Sequence, residues 1–352
     1  MSTRSRKDTR DVPRAEPSGD VLLDVRGLRK QFPIRRGVFG RTRAHAVAVD
    51  DVSFVVRRGE TLGLVGESGS GKTTTGRSVL RLIEPDAGEA WFEGRDIFRM
   101  EAAELQRLRR KAQYIFQDPF GSLDPRMTVE DALREVLHVH RLASGAPAGR
   151  RVMELLELVG LDASLASRYP HEFSGGQRQR IGIARALSVE PVFMVCDEPV
   201  SALDVSIQAQ VLNLLRGLQQ QLGLTYLFIA HDLGVIEHVS DRIAVMVLGR
   251  IVEHGTAADV ISLPRHPYTT ALLSAVPLPE PRPGRARQRG TSRAEVADIP
   301  IAGAGCPYRN RCTHPDRDAT CTQLVPLLAE KAPGHFAACH KGPARAARSP
   351  GA

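Results

Sequence analysis

The sequence predicts an α/β fold built on a parallel sheet. A short apolar strand at residues 61–65 leads into a glycine-rich run and then into a helix-like stretch at residues 73–83. Farther along, two apolar strands at residues 192–196 and 224–230 flank a helical stretch at residues 206–222. Strands that are apolar throughout and are connected by a helix are typical of a buried parallel sheet.

The remaining segments indicate how the chain is divided. Residues 1–19 are poor in apolar side chains and are expected to be a disordered tail. Residues 20–262 are expected to form the main domain, which begins with strand-like runs and contains a helical subdomain at about residues 115–190. Proline and arginine then accumulate from residue 277, and cysteines follow, so residues 263–352 are expected to form a linker and a separate small domain.

The excess positive charge is confined to three segments. The chain has 48 Lys+Arg and 40 Asp+Glu, a formal net charge of +8. Residues 1–19, 282–293 and 331–352 carry net charges of +2, +5 and +4, which leaves the rest slightly acidic. We therefore expect solvated basic segments and no nucleic-acid partner. Because the sequence shows no apolar run of transmembrane length and no signal-peptide stretch, a cytoplasmic protein without a disulfide framework is expected.

Residues 66–73 match the phosphate-binding pattern G-x-x-x-x-G-K-[ST] between a strand and a helix. The glycines allow backbone N–H groups to converge on phosphate oxygens, assisted by the positive end of the following helix. The Lys72 ammonium is expected to contact the β- and γ-phosphates of ATP, and the Thr73 hydroxyl to bind Mg²⁺. The nucleotide-binding residues predicted from this pattern are Gly66, Glu67, Ser68, Gly69, Ser70, Gly71, Lys72, Thr73 and Thr74.

Two acidic residues follow the apolar strand that ends at residue 196. Because strand ends in open α/β sheets face the ligand crevice, Asp197 is expected to bind Mg²⁺ through water. Glu198 is expected to polarise the attacking water. The strand at residues 227–230 ends at His231, where a γ-phosphate contact is expected.

These motifs together resemble the ATPase subunits of ABC transporters over residues 21 to about 255. In that family's order, Gln117 matches the Q-loop and residues 201–204 match the D-loop, which ends at Asp204. The resemblance implies an ABC-type P-loop nucleotide-binding domain with a RecA-like core, an antiparallel β subdomain and a helical subdomain. It further implies three catalytic residues, Glu198, His231 and Gln117, and three Mg²⁺ ligands, Thr73, Gln117 and Asp197.

The family signature motif is matched by Ser174, Gly175, Gly176 and Gln177. The Ser174-x-x-Gln177 spacing also predicts a capping box at the start of a helix, which is a favourable place for an anion. In the family, this helix start covers the γ-phosphate of ATP bound to a second subunit. Phe173 replaces the usual Leu, and Val200 the frequent Thr, without changing the phosphate-facing residues.

The family usually stacks adenine on an aromatic residue before the strand at residues 51–54. Counting back leads to residues 41–45, which contain no Phe, Tyr or Trp. His45 and Phe39 are the candidates left by this count.

Two further segments narrow the subfamily. Residues 116–129 resemble the Q-loop region of peptide-importer ATPases, and His266 to Thr269 resemble the C-terminal extension of oligopeptide, dipeptide and nickel importers. The resemblance implies an ATPase that powers peptide import, with nickel or another small solute as the alternative. It implies membrane permeases, a second ATPase subunit of the same or another chain and an extracytoplasmic binding protein as partners, at the cytoplasmic membrane face.

ABC-type ATPases that act outside transport are disfavoured. The segment between Lys72 and Ser174 is too short for the long coiled coil of the DNA-repair members, and the chain carries one cassette where translation factors carry two.

The C-terminal segment carries Cys306, Cys312, Cys321 and Cys339. Four thiolates can hold a [4Fe–4S] cluster or Zn²⁺, although the spacing fits neither a zinc ribbon nor a ferredoxin run. The family resemblance favours the iron–sulfur cluster. Zinc and free thiols remain the alternatives, and Cys196 is expected to be a buried apolar side chain.

Overall fold

A computed structural model describes residues 20–35, 42–118, 121, 123–275 and 305–342. The predicted tail at residues 1–19, the candidate Phe39 and the basic linker at residues 282–293 lie outside these ranges.

The described strands and helices follow one another through both halves of the chain. The strands are β1 (Val21–Arg35), β2 (Thr42–Arg57), β3 (Thr61–Val65), β4 (Ala87–Phe92), β5 (Arg95–Asp96), β6 (Ala112–Ile115), β7 (Phe193–Asp197), β8 (Thr225–Ala230), β9 (Arg242–Val247), β10 (Arg250–Thr256), β11 (Ala329–Ala332) and β12 (His335–Ala337). The helices are α1 (Lys72–Val79), α2 (Ala102–Lys111), α3 (Val129–Val139), α4 (Gly145–Leu158), α5 (Gly175–Leu187), α6 (Val205–Leu222), α7 (Leu233–Val239), α8 (Ala257–Ser262), α9 (Pro267–Ala275) and α10 (Ala319–Gln323). Short 3-10 helices lie at Ile97–Arg99, Ala163–Ser167 and Pro170–Glu172.

The strands form two sheets. The smaller, antiparallel sheet has the order β2-β1-β4-β5, and the larger sheet has the order β11-β12-β10-β9-β3-β8-β7-β6. In the larger sheet β9, β3, β8, β7 and β6 pair in parallel, as expected for strands joined through helices. Every residue of β3, β7 and β8 is buried, which explains their continuous apolar sequences. The predicted α/β fold is confirmed.

The predicted boundaries shift at two places. Helix α1 ends at Val79, before the predicted residue 83, because Leu80 leaves the helical conformation and Arg81 has a φ of 51°. A strand that the sequence did not predict, β6, pairs with β7 at the start of the helical region. It extends the parallel sheet by one strand.

Two apolar cores lie on the two sides of the central sheet. One joins β1, β2 and β4 to α1 and includes Leu23, Val52 and Phe193. The other joins the helices of residues 129–187 to α6 and includes Leu155 and Phe228. The central sheet therefore connects the antiparallel and the helical parts, and the carboxyl ends of its parallel strands carry the candidate site.

The C-terminal segment adds strands to the central sheet. Strand β12 pairs antiparallel with β10, and β11 pairs with β12 at the sheet edge. Residues 329–337 therefore extend the larger sheet of the main domain at its β10 edge. Glu253 of β10, which is fully buried, lies 2.7 Å from His335 Nε2 of β12.

No helix in the described part of the chain is both long and apolar enough to cross a bilayer.

Candidate functional site

The glycine-rich loop connects β3 to α1 and requires glycine at two positions. Gly71 has a φ of +105°, and a Cβ there would lie 2.1 Å from the Ala48 carbonyl oxygen. A Cβ on Gly66 would lie 2.1 Å from the Met246 carbonyl oxygen. Ser68 and Gly69 are exposed at the turn, Ser70 is buried, and Thr74 lies in the first turn of α1. The loop is thus pressed against the backbone of β2 and β9, while its exposed turn faces outward.

Lys72 is buried at the start of α1. Its Nζ donates to the carbonyl oxygens of Gly66, at 2.7 Å, and of Glu67, at 2.9 Å. Burial lowers the pKa of Lys72 below its ordinary value, although the nearby carboxylates of Glu198 and Asp197 oppose this effect. The loop therefore encloses a cation beside backbone N–H groups at a helix start, which fits a phosphate group.

Asp197 ends β7 and is fully buried. Its carboxylate accepts hydrogen bonds from the Thr73 hydroxyl, at 2.9 Å, and from the Tyr114 hydroxyl, at 2.7 Å. Burial raises the pKa of Asp197, and these two hydrogen bonds oppose the rise. Hard oxygen donors of this kind are preferred by Mg²⁺, so Thr73 and Asp197 fit the predicted metal ligands.

Glu198 follows Asp197 in a left-handed conformation, with a φ of 45°. A non-glycine residue at such a φ costs about 1–3 kcal/mol and persists where surrounding contacts hold it. The Glu198 N–H donates to the Ile229 carbonyl oxygen at 2.9 Å, and this contact holds the turn against β8.

The three predicted catalytic side chains meet at this turn. The Gln117 Nε2 donates to Glu198 Oε2 at 2.8 Å, and His231 Nδ1 lies 3.4 Å from the same oxygen. A cavity of about 50 Å³, lined in part by Glu198, Ser201 and His231, adjoins the group and is large enough for water.

The D-loop is held by a residue that the sequence did not point to. The Gln208 side chain, on α6, donates to the carbonyl oxygens of Val200, at 3.0 Å, and Leu203, at 2.9 Å. Asp204 begins α6 as its N-cap residue. Tyr114, which binds Asp197, was missed as well, because β6 was not predicted and its pairing beside β7 was therefore unknown.

The signature motif begins α5 with the predicted capping box. The Gln177 N–H donates to the Ser174 hydroxyl at 3.4 Å, and the Gln177 side chain accepts from the Ser174 N–H at 3.0 Å. A Cβ on Gly176 would lie 2.4 Å from Ile207 of α6, and one on Gly175 would lie 3.2 Å from the Leu203 side chain. The signature thus packs beside the D-loop and the start of α6.

Phe32 is an aromatic residue that the count along the sequence did not reach. It lies on β1 opposite Ala46 of β2, two positions from Ala48, whose carbonyl oxygen faces Gly71. Its side chain is 39% exposed. Strands β1 and β2 extend well beyond the predicted runs, so Phe32 lies on β1, before the segment that the count covered.

The C-terminal cysteines do not form a metal site in the described residues. Cys306 and Cys321 are buried and are joined by a 2.8 Å hydrogen bond between their backbones. Burial raises the pKa of the Cys306 thiol to about 11, and the thiols of Cys339, Cys312 and Cys321 lie close enough to raise it as well. Across the described ranges, no group of three or more His, Cys, Asp or Glu is placed to hold a metal ion. The iron–sulfur prediction and the zinc alternative are therefore not supported, and Cys312 and Cys339 are free as well.

Comparisons with known proteins agree with this geometry. A family profile described as "ABC transporter" matches residues 49–201, and one described as "Oligopeptide/dipeptide transporter, C-terminal region" matches residues 252–321.

Curated relatives cover nearly the whole chain. A putative peptide import ATP-binding protein of Brucella ovis is 54% identical over 318 residues, which span 90% of this chain and 97% of the relative. The oligopeptide transport ATP-binding protein AppF of Bacillus subtilis is 47% identical over 322 residues, 91% of this chain and 97% of AppF.

Solved structures share the cassette fold. The ATP-binding cassette MJ0796, in a dimeric post-hydrolysis state bound to ADP and Pi, is 27% identical with a TM-score of 0.60, covering 67% of this chain and 99% of that one. The protein cbiO1 of Clostridium perfringens, described as part of the ABC transporter complex cbiONQ, is 25% identical with a TM-score of 0.59, covering 69% of this chain and 92% of that one.

Proposed function

This chain belongs to the ABC transporter ATPase family, and we propose that it is the ATP-hydrolysing subunit of a peptide importer. The observation that carries the hydrolytic role is the group formed by Glu198, Gln117 and His231 next to the Thr73–Asp197 pair. The peptide assignment is supported by the match of residues 252–321 and by the names of the relatives.

The residues of the site divide the work of hydrolysis. Lys72 and the backbone N–H groups at the start of α1 bind the phosphates, and Thr73 and Asp197 would hold Mg²⁺, with Gln117, which is hydrogen-bonded to Glu198, as the third ligand. When bound, Mg²⁺ neutralises developing charge on the phosphate oxygens. Glu198 orients and polarises the attacking water, and His231 contacts the γ-phosphate. Since Asp197 is buried and held by two hydroxyl groups, it stays fixed while Glu198 and His231 face the cavity.

Adenine stacking belongs to Phe32 in this proposal. The exposed ring lies on the strand next to the one that contacts Gly71, and Lys30 Nζ lies 5.5 Å from its centre. His45 takes no part in stacking, although it lines a neighbouring hollow with Lys30.

The site requires a second subunit. The signature motif lies with the D-loop, so its helix start serves the nucleotide of a partner ATPase subunit, as the dimeric arrangement of MJ0796 supports. Membrane permeases bind near residues 116–118, where Phe116 is 44% exposed. An extracytoplasmic binding protein completes the importer, and the ATPase lies at the cytoplasmic membrane face.

Glu198→Gln tests the hydrolytic role. We expect steady-state ATP hydrolysis to fall at least about a hundredfold, because the amide cannot polarise water, while ATP binding is retained. Glu190→Gln is the matched control. Glu190 also has a positive φ, 54°, but it precedes the first residue of β7, whereas Glu198 follows the last. Turnover of Glu198→Gln at the wild-type rate, with permeases present, would refute the assignment.

The transported solute is tested in the reconstituted importer. Peptides, added with the binding protein, are expected to stimulate ATP hydrolysis and to accumulate inside vesicles. Stimulation by Ni²⁺ alone would favour the nickel alternative instead.

A further inference from the structure

Glu67, the second residue of the nucleotide loop, is bonded through all three of its polar groups. Its carbonyl oxygen accepts from Lys72 Nζ at 2.9 Å. Its backbone N–H donates to the Tyr268 hydroxyl at 2.8 Å, and its carboxylate accepts two hydrogen bonds of 2.6 Å from the Arg311 guanidinium. Two of these three partners lie in the C-terminal region, outside the cassette motifs.

Tyr268 is held firmly in place. It is 1% exposed on α9, and its own N–H donates to His266 Nδ1 at 3.1 Å. The His266 N–H in turn donates to the buried carboxylate of Glu253 at 2.8 Å. A continuous run of hydrogen bonds therefore joins β10 to the nucleotide loop and fixes the hydroxyl that binds Glu67.

The position of the Arg311 side chain is also fixed by neighbouring groups. Its guanidinium lies 5.7 Å from the centre of the Tyr308 ring, and that ring lies 5.3 Å from the ring of Tyr268. Its backbone N–H donates to the Tyr308 carbonyl oxygen at 3.1 Å. The planar fork of arginine matches both carboxylate oxygens at once, which lysine cannot do.

We propose that the C-terminal region sets the affinity of the site for ATP by clamping Glu67, with Tyr268 and Arg311 as positioning residues. The clamp acts through Glu67 on the loop and on Lys72, the cation that meets the phosphates. The proposal rests on the proposed function, because ATP is the nucleotide in question. By linkage, ATP binding strengthens the attachment of residues 305–342 as much as that attachment strengthens ATP binding.

The two halves of the clamp differ in strength. The Arg311 side chain is 55% exposed, and exposed ion pairs contribute little even when their geometry is good. The Tyr268 hydroxyl is buried, so its removal leaves the Glu67 N–H without its hydrogen bond, a more costly loss. Tyr268 is therefore expected to have the larger effect.

The test measures ATP affinity by calorimetry on the full chain, in a Glu198→Gln background that prevents turnover. Tyr268→Phe is expected to weaken ATP binding about tenfold, and Arg311→Gln about threefold. Two matched controls are expected to stay within about twofold. Tyr226→Phe removes a buried hydroxyl that donates to the Leu215 carbonyl oxygen, and Lys341→Gln removes an ion pair with Asp318 inside the C-terminal region.

Further measurements separate positioning from a general loss of stability. With Glu198 intact, Arg311→Gln is expected to raise KM for ATP while kcat changes less than about twofold, and Arg311→Lys to restore part of the affinity. Adding Glu67→Gln to Arg311→Gln is expected to cause no further loss. Hydrogen exchange of residues 305–323 is expected to slow when ATP and Mg²⁺ are added.

Unchanged affinity in both Tyr268→Phe and Arg311→Gln would overturn the clamp, as would equal losses in the two controls. Because Arg311 is exposed, its variant keeps the test valid if Tyr268→Phe fails to fold. A parent chain that does not bind ATP at all would instead overturn the proposed function.

Discussion

The nucleotide loop is held at its two ends by groups of different construction. At the Thr73 end, the contacts come from residues at the carboxyl ends of neighbouring parallel strands, and Asp197 there is fully buried. At the Glu67 end, the contacts come from residues 201 and 244 positions farther along the chain, and Arg311 is half exposed. Burial makes the first group rigid, whereas the second combines the buried hydroxyl of Tyr268 with an exposed Arg311 ion pair that can be released at small cost. In the proposals above, the Thr73 end of the loop serves hydrolysis and the Glu67 end sets the affinity for ATP.

Gly71→Ala tests the Thr73 end with the largest expected effect. A Cβ at this position would lie 2.1 Å from the Ala48 carbonyl oxygen, and the alanine would have to adopt a φ of +105°. The loop therefore has to move. We expect ATP affinity to fall at least about a hundredfold, measured by calorimetry. Gly69→Ala is the matched control, because its φ of +79° is strained but nothing lies within 4 Å, and about a fivefold loss is expected. Equal losses would show that strain alone, without the contact, limits this end.

Mild acid tests the Glu67 end through His266, which positions Tyr268, and an intermediate loss of stability is expected. Burial lowers the pKa of His266 from its ordinary 6.5 to about 4. Between these values the unfolded chain binds more protons than the folded one, so stability is lost as pH falls from 6.5 towards 4. His266 is expected to contribute about 2 kcal/mol of the loss between pH 7 and pH 5, and His254, with a pKa lowered to about 4, acts in the same direction.

Thermal unfolding at the two pH values measures this loss. His266→Asn keeps an acceptor for the Tyr268 N–H and removes the titrating ring, so its melting temperature is expected to fall less with pH than that of the wild type. His138→Asn, at an exposed position of α3, serves as the control. An identical pH response in His266→Asn and the wild type would contradict the assignment to His266.

Tyr114→Phe tests how Asp197 is held at the Thr73 end, and the smallest of the expected effects is predicted for it. The variant removes one of the two hydroxyl groups that bind Asp197, while Thr73 keeps the other. We expect ATP hydrolysis to fall about three- to tenfold, because the carboxylate is held less firmly at the Mg²⁺ position. Steady-state kinetics across Mg²⁺ concentrations provide the measurement. A rate equal to that of the wild type would mean that Thr73 and burial suffice to hold Asp197.

The sequence allowed the Thr73 end to be predicted because its residues follow a topological rule. Lys72, Asp197 and Glu198 each stand where a buried apolar strand or the glycine-rich loop ends, so neighbouring strands in a parallel sheet bring them together. Local spacing also predicted the capping box of Ser174 and Gln177, because its two hydrogen bonds span three residues.

Other contacts depend on how distant segments fold together, which spacing does not encode. Phe32, the proposed stacking residue, lay outside the count because the lengths of β1 and β2 were underestimated, and Tyr114 was missed because the short strand β6 lies within a largely helical stretch. Arg311 pairs with Glu67 across 244 residues. For the four C-terminal cysteines, the count along the sequence suggested a metal site, but whether thiols converge depends on folding, and the described residues hold no group of three or more metal-ligating side chains placed to bind an ion.

The buried carboxylate of Glu253 has a consequence for biosynthesis. Its partners are the backbone N–H groups of Arg265 and His266 and, 82 residues downstream, the ring of His335. All three leave the ribosome after the cassette motifs have been made. Until then the carboxylate and the free edge of β10 have to remain in water, since a buried and unpaired charge is strongly destabilising. In a nascent chain that ends near residue 262, the β10 edge of the sheet therefore stays unpaired until β12 has been made.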